Sequence, residues 1–309
     1  MLNFEDEIIK LKKDLNAVIL AHFYQDEEIQ EIADFIGDSL DLARKASKTD
    51  ADVIIVCGVK FMGEVAKILN PNKKVLIPDM KAGCSLEDSC KPAEFAKFRE
   101  KHPDHIALTY INCSAEIKSL SDIIVTSTNA MKIVENLPKD QKIIFAPDRH
   151  LGSYISKQTG RDMLLWHGSC IVHEQFSEKE LIKLKVKHPK AKIIAHPECP
   201  ENLLSYADHI GSTSSLLKFT TENISGEFIV LTEPGIIHQM KKANPTGKFY
   251  DCPGIDQSGC VLCNNCPYMQ LNNLEKLYKV MKNQDNEIVL EGDLMKKASL
   301  SLDRMLKMS

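Results

Sequence analysis

The chain has almost no excess of charge: 43 acidic residues stand against 39 Lys and Arg, a formal net charge of −4. That removes the electrostatic argument for a nucleic-acid or anionic-membrane partner. No apolar run approaches the roughly 18 residues that a membrane-spanning helix needs. The opening segment, Met1-Leu2-Asn3-Phe4-Glu5-Asp6-Glu7, is acidic and lacks the apolar core of a signal peptide, so a cytoplasmic protein is expected. There is no linker rich in Gly or Ser and no low-complexity run. The parts of the chain are therefore expected to pack tightly rather than hang on tethers. At 309 residues and 43% hydrophobic content, two or three domains could each bury a core.

What is present is a threefold repeat. Ala33-Asp34-Phe35-Ile36-Gly37-Asp38-Ser39, Ser121-Asp122-Ile123-Ile124-Val125-Thr126-Ser127 and Ala207-Asp208-His209-Ile210-Gly211-Ser212-Thr213 all read small-Asp-x-Ile-x-x-hydroxyl. They lie 88 residues (33 to 121) and 86 residues (121 to 207) apart. His22, Tyr110 and His196 keep the same offsets, each closing an apolar run that starts near Val18, Ile106 and Ile193. A helical stretch follows each hydroxyl, and then a β-branched run: Val53–Cys57, Ile143–Ala146, Phe228–Leu231. This alternation predicts βαβ units with parallel sheets. Approximate units are 1–90, 91–180 and 181–309, the last carrying a cysteine loop and a helix-like tail from Leu271 onward. Open α/β sheets bind ligands beyond the carboxyl ends of their strands. Polar residues in phase at those ends therefore predict one shared site on a pseudo-threefold axis.

Ten cysteines in a cytoplasmic chain point to metal or redox chemistry rather than a disulfide framework. Cys84 and Cys170 occupy equivalent places in the first two units, each within two residues of a Gly that would let backbone approach a large cofactor. The third unit carries Cys260-Val261-Leu262-Cys263-Asn264-Asn265-Cys266-Pro267. This is a ferredoxin-like C-x₂-C-x₂-C run without the fourth cysteine. Two readings stand: a local zinc site completed from elsewhere, or a [4Fe–4S] cluster held by one cysteine from each unit. The second accounts for Cys84 and Cys170. It leaves one iron without a protein thiolate, able to act as a Lewis acid on a substrate oxygen. Cys57, in a strand, reads as a small buried hydrophobe. Cys90, Cys113, Cys199 and Cys252 read as structural.

The shared pocket is expected to hold His22, Tyr24, Ser39, Tyr110, Asn112, Ser127, His196, Glu198 and Thr213, with His173 three residues after Cys170. Hydroxyls, an amide and imidazoles suit hydrogen-bonded recognition of a dicarboxylate. Glu198 and the histidines are candidate acid/base groups and Tyr24 a candidate proton donor.

These residues also carry a resemblance. His22-Phe23-Tyr24-Gln25, Ala82-Gly83-Cys84-Ser85-Leu86-Glu87-Asp88-Ser89-Cys90, Tyr110-Ile111-Asn112-Cys113-Ser114-Ala115-Glu116, Cys170-x-x-His173, His196-Pro197-Glu198-Cys199, Gly211-Ser212-Thr213-Ser214 and Cys266-Pro267-Tyr268-Met269 resemble the quinolinate synthases, in order, from about residue 17 to 280. The resemblance implies three αβα three-layer domains about a pseudo-threefold axis, with the active site at their junction. It implies an oxygen-sensitive [4Fe–4S] cluster on Cys84, Cys170 and Cys266, leaving Cys260 and Cys263 as non-ligands able to form a redox-active pair. It implies condensation of iminosuccinate with dihydroxyacetone phosphate to quinolinate, with loss of phosphate and water, for NAD biosynthesis. Substrate-binding positions fall on His22, Ser39, Tyr110, Ile111, Asn112, Ser127, His196, Pro197, Glu198 and Thr213. Tyr24 takes an acid/base role in late steps and Glu198 one in proton transfer. Cys113 stands where many members have a small hydroxyl residue. Iminosuccinate is unstable, so the enzyme that supplies it is an expected partner. The rival readings are another Fe–S hydro-lyase acting on a small dicarboxylic acid, and a zinc or electron-carrier module built on the late cysteine run alone.

Overall fold

A computed structural model describes residues 3–255, 258 and 260–309. Three four-stranded parallel sheets follow one another along the chain. The first contains β1 (Ala17–His22), β2 (Phe35–Gly37), β3 (Val53–Cys57) and β4 (Lys74–Leu76), in the order β2-β1-β3-β4. The second contains β5 (His105–Tyr110), β6 (Ile123–Val125), β7 (Lys142–Ala146) and β8 (Met163–Leu165). The third contains β9 (Lys192–Ala195), β10 (His209–Ile210), β11 (Glu227–Leu231) and β12 (Lys248–Asp251). Both repeat the order of the first, β6-β5-β7-β8 and β10-β9-β11-β12, all parallel. Each sheet thus reverses direction of growth between its first and third strands, the place where such sheets take ligands.

The strands are short and apolar because helices cover both faces. In the first sheet, Ile19, Ala21, Ile55 and Cys57 face Ile8, Leu277 and Met281 on one side. Val18, Leu20, Ile54 and Val56 alternate to the other, against Leu40, Val65 and Ala66. The third sheet likewise has separate clusters on its two faces. The architecture is therefore α/β with three helix–sheet–helix repeats. Among the described residues no helix is long and apolar enough to cross a membrane.

The repeated Asp has a structural task. Asp34, Asp122 and Asp208 each precede the second strand of their sheet. Each carboxylate accepts the backbone N–H of a first-strand residue: Ile19 (2.9 Å), Ala107 (2.7 Å) and Ile193 (2.7 Å). The backbone N–H of each Asp returns a bond to the carbonyl of the same residue. Two short segments are locked at the edge where strand pairing begins. Replacing Asp122 with Ala leaves the fully buried Ala107 without its side-chain acceptor and removes the Arg99 ion pair. Urea unfolding should show a loss of about 1–3 kcal/mol. Asp122→Asn, which keeps an acceptor oxygen, should lose less; equal losses in both would contradict the capping role.

The tail, grouped by sequence with the third repeat at 181–309, completes the other two in space. Helix Leu274–Asn283 packs on helix Phe4–Asp14 over the first sheet. Helix Gly292–Met308 packs on helix Ala115–Ser119 and on β6. Its Ala298, Leu302 and Met305 join the core shared by the first and second repeats. An amphipathic pattern shows that a face is buried but not which partner buries it.

Candidate active site

The first strands end on His22, Tyr110 and, one residue beyond β9, His196. Two residues further stand Tyr24, Asn112 and Glu198. All six line one cavity, with about 710 Å³ of space not filled by atoms. Alternation explains the spacing. The intervening Phe23 and Ile111 turn into hydrophobic clusters. Ile111 and Pro197 are buried and are not among the side chains lining the cavity. Ser39, Ser127 and Thr213, beyond the second strands, complete the lining with His173.

Behind the hydroxyls the three repeats are tied together. Asp38 caps helix Ser39–Ala46 through its Oδ1. Its Oδ2 accepts hydrogen bonds from Thr128 (2.8 Å) and Ser214 (2.9 Å), one from each of the other repeats.

The three cysteines also converge. Cys84, Cys170 and Cys266, each following the fourth strand of its sheet, all line the cavity. Burial pushes the Cys84 and Cys170 thiols well up and that of Cys266 up to about 11, each raised further by its neighbours' negative charge. A bound metal would reverse that preference, since a coordinated thiol deprotonates. The three sulfurs do not all lie within 4.8 Å of one another. A single zinc would need them about 3.8 Å apart. Three thiols spread around one cavity fit a polynuclear cluster better than one ion. Cys260 and Cys263 are exposed and do not line the cavity. Cys57, Cys90, Cys113, Cys199 and Cys252 are buried and do not line it either.

One glycine expectation changes. A Cβ on Gly168 would meet Ser89 Oγ at 2.2 Å and the Pro147 carbonyl oxygen at 2.5 Å. That glycine is explained by close packing of the first repeat's loop on the second, with no cofactor needed.

The polar groups are mostly neutral donors. Burial lowers His22 and His196 to about 3, against the opposing pull of Glu198. Each ring accepts at Nδ1 a backbone N–H from two residues on, Tyr24 at 3.2 Å and Glu198 at 3.4 Å. That assigns the ring proton to Nε2, which in His196 lies 3.2 Å from Ser127 Oγ. Burial, reinforced by the Glu198 charge, raises the Tyr24 and Tyr110 hydroxyls well above their usual range, so both stay protonated. Asn112 Oδ1 is buried without a hydrogen-bond partner.

Glu198 is the exception. Burial opposes its charge, but the neighbouring His173 and donation from Tyr110 Oη (2.6 Å) hold its carboxyl below the usual range. His173 Nδ1 stands 3.0 Å from Glu198 Oε2 without hydrogen-bond alignment. A polar chain runs from Tyr24 Oη to Thr232 Oγ1 (2.6 Å), on to His173 Nε2 (3.0 Å), and through that ring to Glu198. Thr232 and Glu233 follow the third strand of the third sheet. Burial pushes the Glu233 carboxyl up to about 8. It accepts the backbone N–H of Gly235 (2.8 Å) and Cys266 (3.3 Å), fastening the cysteine loop to the strand end. Sequence reasoning missed both residues, as well as Tyr268 and Asp38. Thr232 lies just past a third strand, where the other two repeats carry Gly58 and Pro147, so no repeated side chain marks the position.

The histidine environment gives a pH prediction. Folding excludes a proton at His22 and His196, so their share of stability is complete above the unfolded value near 6.5. It falls as pH drops from there toward 3. Ring NMR signals of both should stay flat between about pH 8 and 5. A midpoint near 6.5 in either would show that water reaches the ring.

Comparison with known proteins places the chain in a family. The family model described as quinolinate synthetase A protein matches residues 6–307. The quinolinate synthase of Trichormus variabilis is 60% identical over 302 residues, 98% of this chain and 92% of the relative. That of Synechocystis is 60% identical over 302 residues, 98% and 94%, and that of Microcystis aeruginosa 59% over 302 residues, 98% and 94%. Matched from end to end by that family model, with these relatives covering nearly the same span, the chain belongs to the quinolinate synthetase A protein family.

Proposed function

We propose that the chain condenses iminosuccinate with dihydroxyacetone phosphate to form quinolinate, releasing phosphate and water. The observation that carries this reading is one cavity in which a cysteine from each repeat meets a ring of neutral donors and the buried, ionised carboxylate of Glu198. Cys84, Cys170 and Cys266 would hold a [4Fe–4S] cluster, which when bound supplies a Lewis-acidic iron that lacks a protein thiolate. In this reading the reaction is a transferase-type condensation serving NAD biosynthesis in the cytoplasm.

The protein's own groups divide the remaining work. Hydroxyls of Ser39, Ser127 and Thr213, the Nε2–H of His22 and His196, and the Asn112 amide bind the two carboxylates without a formal countercharge. No Lys or Arg lines the cavity among the described residues, which favours directional hydrogen bonds over charge pairing. Enclosure between three repeats orients the reactants and excludes water, which strengthens each donor. Glu198, ionised and within reach of Tyr110, takes a proton from the carbon beside the imine. Tyr24, kept protonated, donates at its Oη, which lies 2.6 Å from Thr232 Oγ1.

The test is an anaerobic incubation of purified protein with iminosuccinate, with and without dihydroxyacetone phosphate, followed by chromatographic detection of quinolinate. Product only when both are present supports the condensation. Turnover of the dicarboxylic acid alone would replace it with a hydro-lyase.

A further inference from the structure

One group of donor atoms has a geometry that the condensation does not call for. Cys170 Sγ, a His173 ring nitrogen and a Glu198 carboxylate oxygen all lie within 4.8 Å of one another. His173 is 2% exposed and Glu198 3%. His173 Nδ1 is buried with no hydrogen-bond partner and lies 3.0 Å from Glu198 Oε2. The far atom of each side chain is already engaged. His173 Nε2 meets Thr232 Oγ1 at 3.0 Å, and Glu198 Oε1 accepts from Tyr110 at 2.6 Å. That is how the outer partners of a metal site orient its ligands.

We propose that, when no cluster occupies the cavity, Cys170 Sγ, His173 Nδ1 and Glu198 Oε2 bind one divalent transition-metal ion such as Zn²⁺, with a fourth position open to the cavity. A tetrahedral ion with these ligands needs donor atoms about 3.3–3.8 Å apart. The Cys170 side chain closes the difference with a movement of about 1 Å. As the metal–sulfur bond forms, the thiol proton leaves to solvent. One thiolate and one carboxylate then balance the double charge of the ion. Without it, no Lys or Arg among the described residues of the cavity lining offsets Glu198. A soft sulfur beside imidazole and carboxylate selects zinc, cobalt or iron over calcium and magnesium.

Binding of the ion goes beyond the proposed reaction and stands without it. Only its consequence rests on that reading: ion and cluster both require Cys170, so each excludes the other. Zinc would then act as an inhibitor of cluster insertion.

The full chain, purified free of iron and sulfide and carrying Cys260→Ser and Cys263→Ser to remove the exposed thiols, is titrated with Co²⁺. One equivalent should produce a thiolate-to-cobalt charge-transfer band with tetrahedral visible bands, both erased by Zn²⁺. Cys170→Ser should abolish the charge-transfer band. Glu198→Gln, nearly isosteric, and His173→Gln should each weaken binding at least about tenfold. Cys84→Ser should leave it within about twofold. Absence of any cobalt band, loss of the band in Cys84→Ser, or undiminished affinity in Glu198→Gln would each overturn the site. Zinc loaded beforehand should slow reconstitution with iron and sulfide at least about tenfold. A cobalt site that is present while zinc leaves reconstitution unaffected would count against the cluster's use of Cys170, not against the site.

Discussion

Anaerobically purified Cys170→Ser and Cys84→Ser proteins should carry almost none of the iron and labile sulfide found in the parent chain, and should make no detectable quinolinate. The parent should hold about four irons and four sulfides, the composition of the proposed cluster. The size of the effect follows from the ligand chemistry. A cluster iron prefers a soft, ionised sulfur; a serine hydroxyl is hard and remains protonated at neutral pH. With one ligand per repeat, no second cysteine of the first or second repeat can substitute, because Cys90 and Cys113 are buried and do not line the cavity. The third repeat is different, since Cys263 lies three residues from Cys266. Cys266→Ser should lose the cluster while Cys263→Ser keeps it. Full iron and sulfide in Cys170→Ser would sink the assignment of one cysteine to each repeat. Loss in Cys263→Ser alone would move the third ligand by one turn of chain.

Glu198→Gln should lower kcat by about 10²–10⁴, with KM changed far less. The amide keeps the shape of the carboxylate and can still accept from Tyr110, so the cavity should keep its form. What it loses is the capacity to take a proton. Of the groups around the cavity, His22 and His196 are neutral because burial suppresses their protonation, Tyr24 and Tyr110 hold their protons, burial raises the Glu233 carboxyl to about 8, and both Asp38 oxygens already accept hydrogen bonds from the protein. Glu198 is the base left in that set. The variant should keep the parent's melting temperature within a few degrees and its cluster absorbance. Activity within about tenfold of the parent would show that another group moves the proton.

The parts of this site that sequence revealed are those set by chain periodicity. His22, Tyr110 and His196 share a register because each closes the first strand of the same sheet pattern, and Tyr24, Asn112 and Glu198 follow by strand alternation. The same register brought in Asp34, Asp122 and Asp208, which proved to be backbone acceptors outside the cavity. Repetition marks what a repeated fold needs, whether that is a ligand or a peptide group. Thr232, Glu233 and Asp38 were not readable because their counterparts differ in chemistry. Thr232 stands where the other repeats have Gly58 and Pro147, as the pairing of Leu231, Cys57 and Ala146 with their first strands shows. A departure from symmetry leaves no periodic trace, yet a single reaction on one asymmetric substrate needs such departures. Ile111 and Pro197, taken from the family resemblance as substrate-binding, contribute no side chain to the lining.

The returning tail bears on how this protein is made. On a ribosome the first sheet emerges some 200 residues before helix Leu274–Asn283, which covers its outer face. The second repeat waits in the same way for helix Gly292–Met308. Domains generally fold as units during synthesis, amino-terminal first, at about 5–20 residues per second. Here the first two repeats would stay unfinished for on the order of ten seconds or more, with Ile19, Ile55 and their neighbours uncovered. Only the third repeat has its sheet closed by helices encoded close at hand. The nascent chain should therefore engage chaperones early and release them late, at a point set by the last two helices rather than by completion of each sheet.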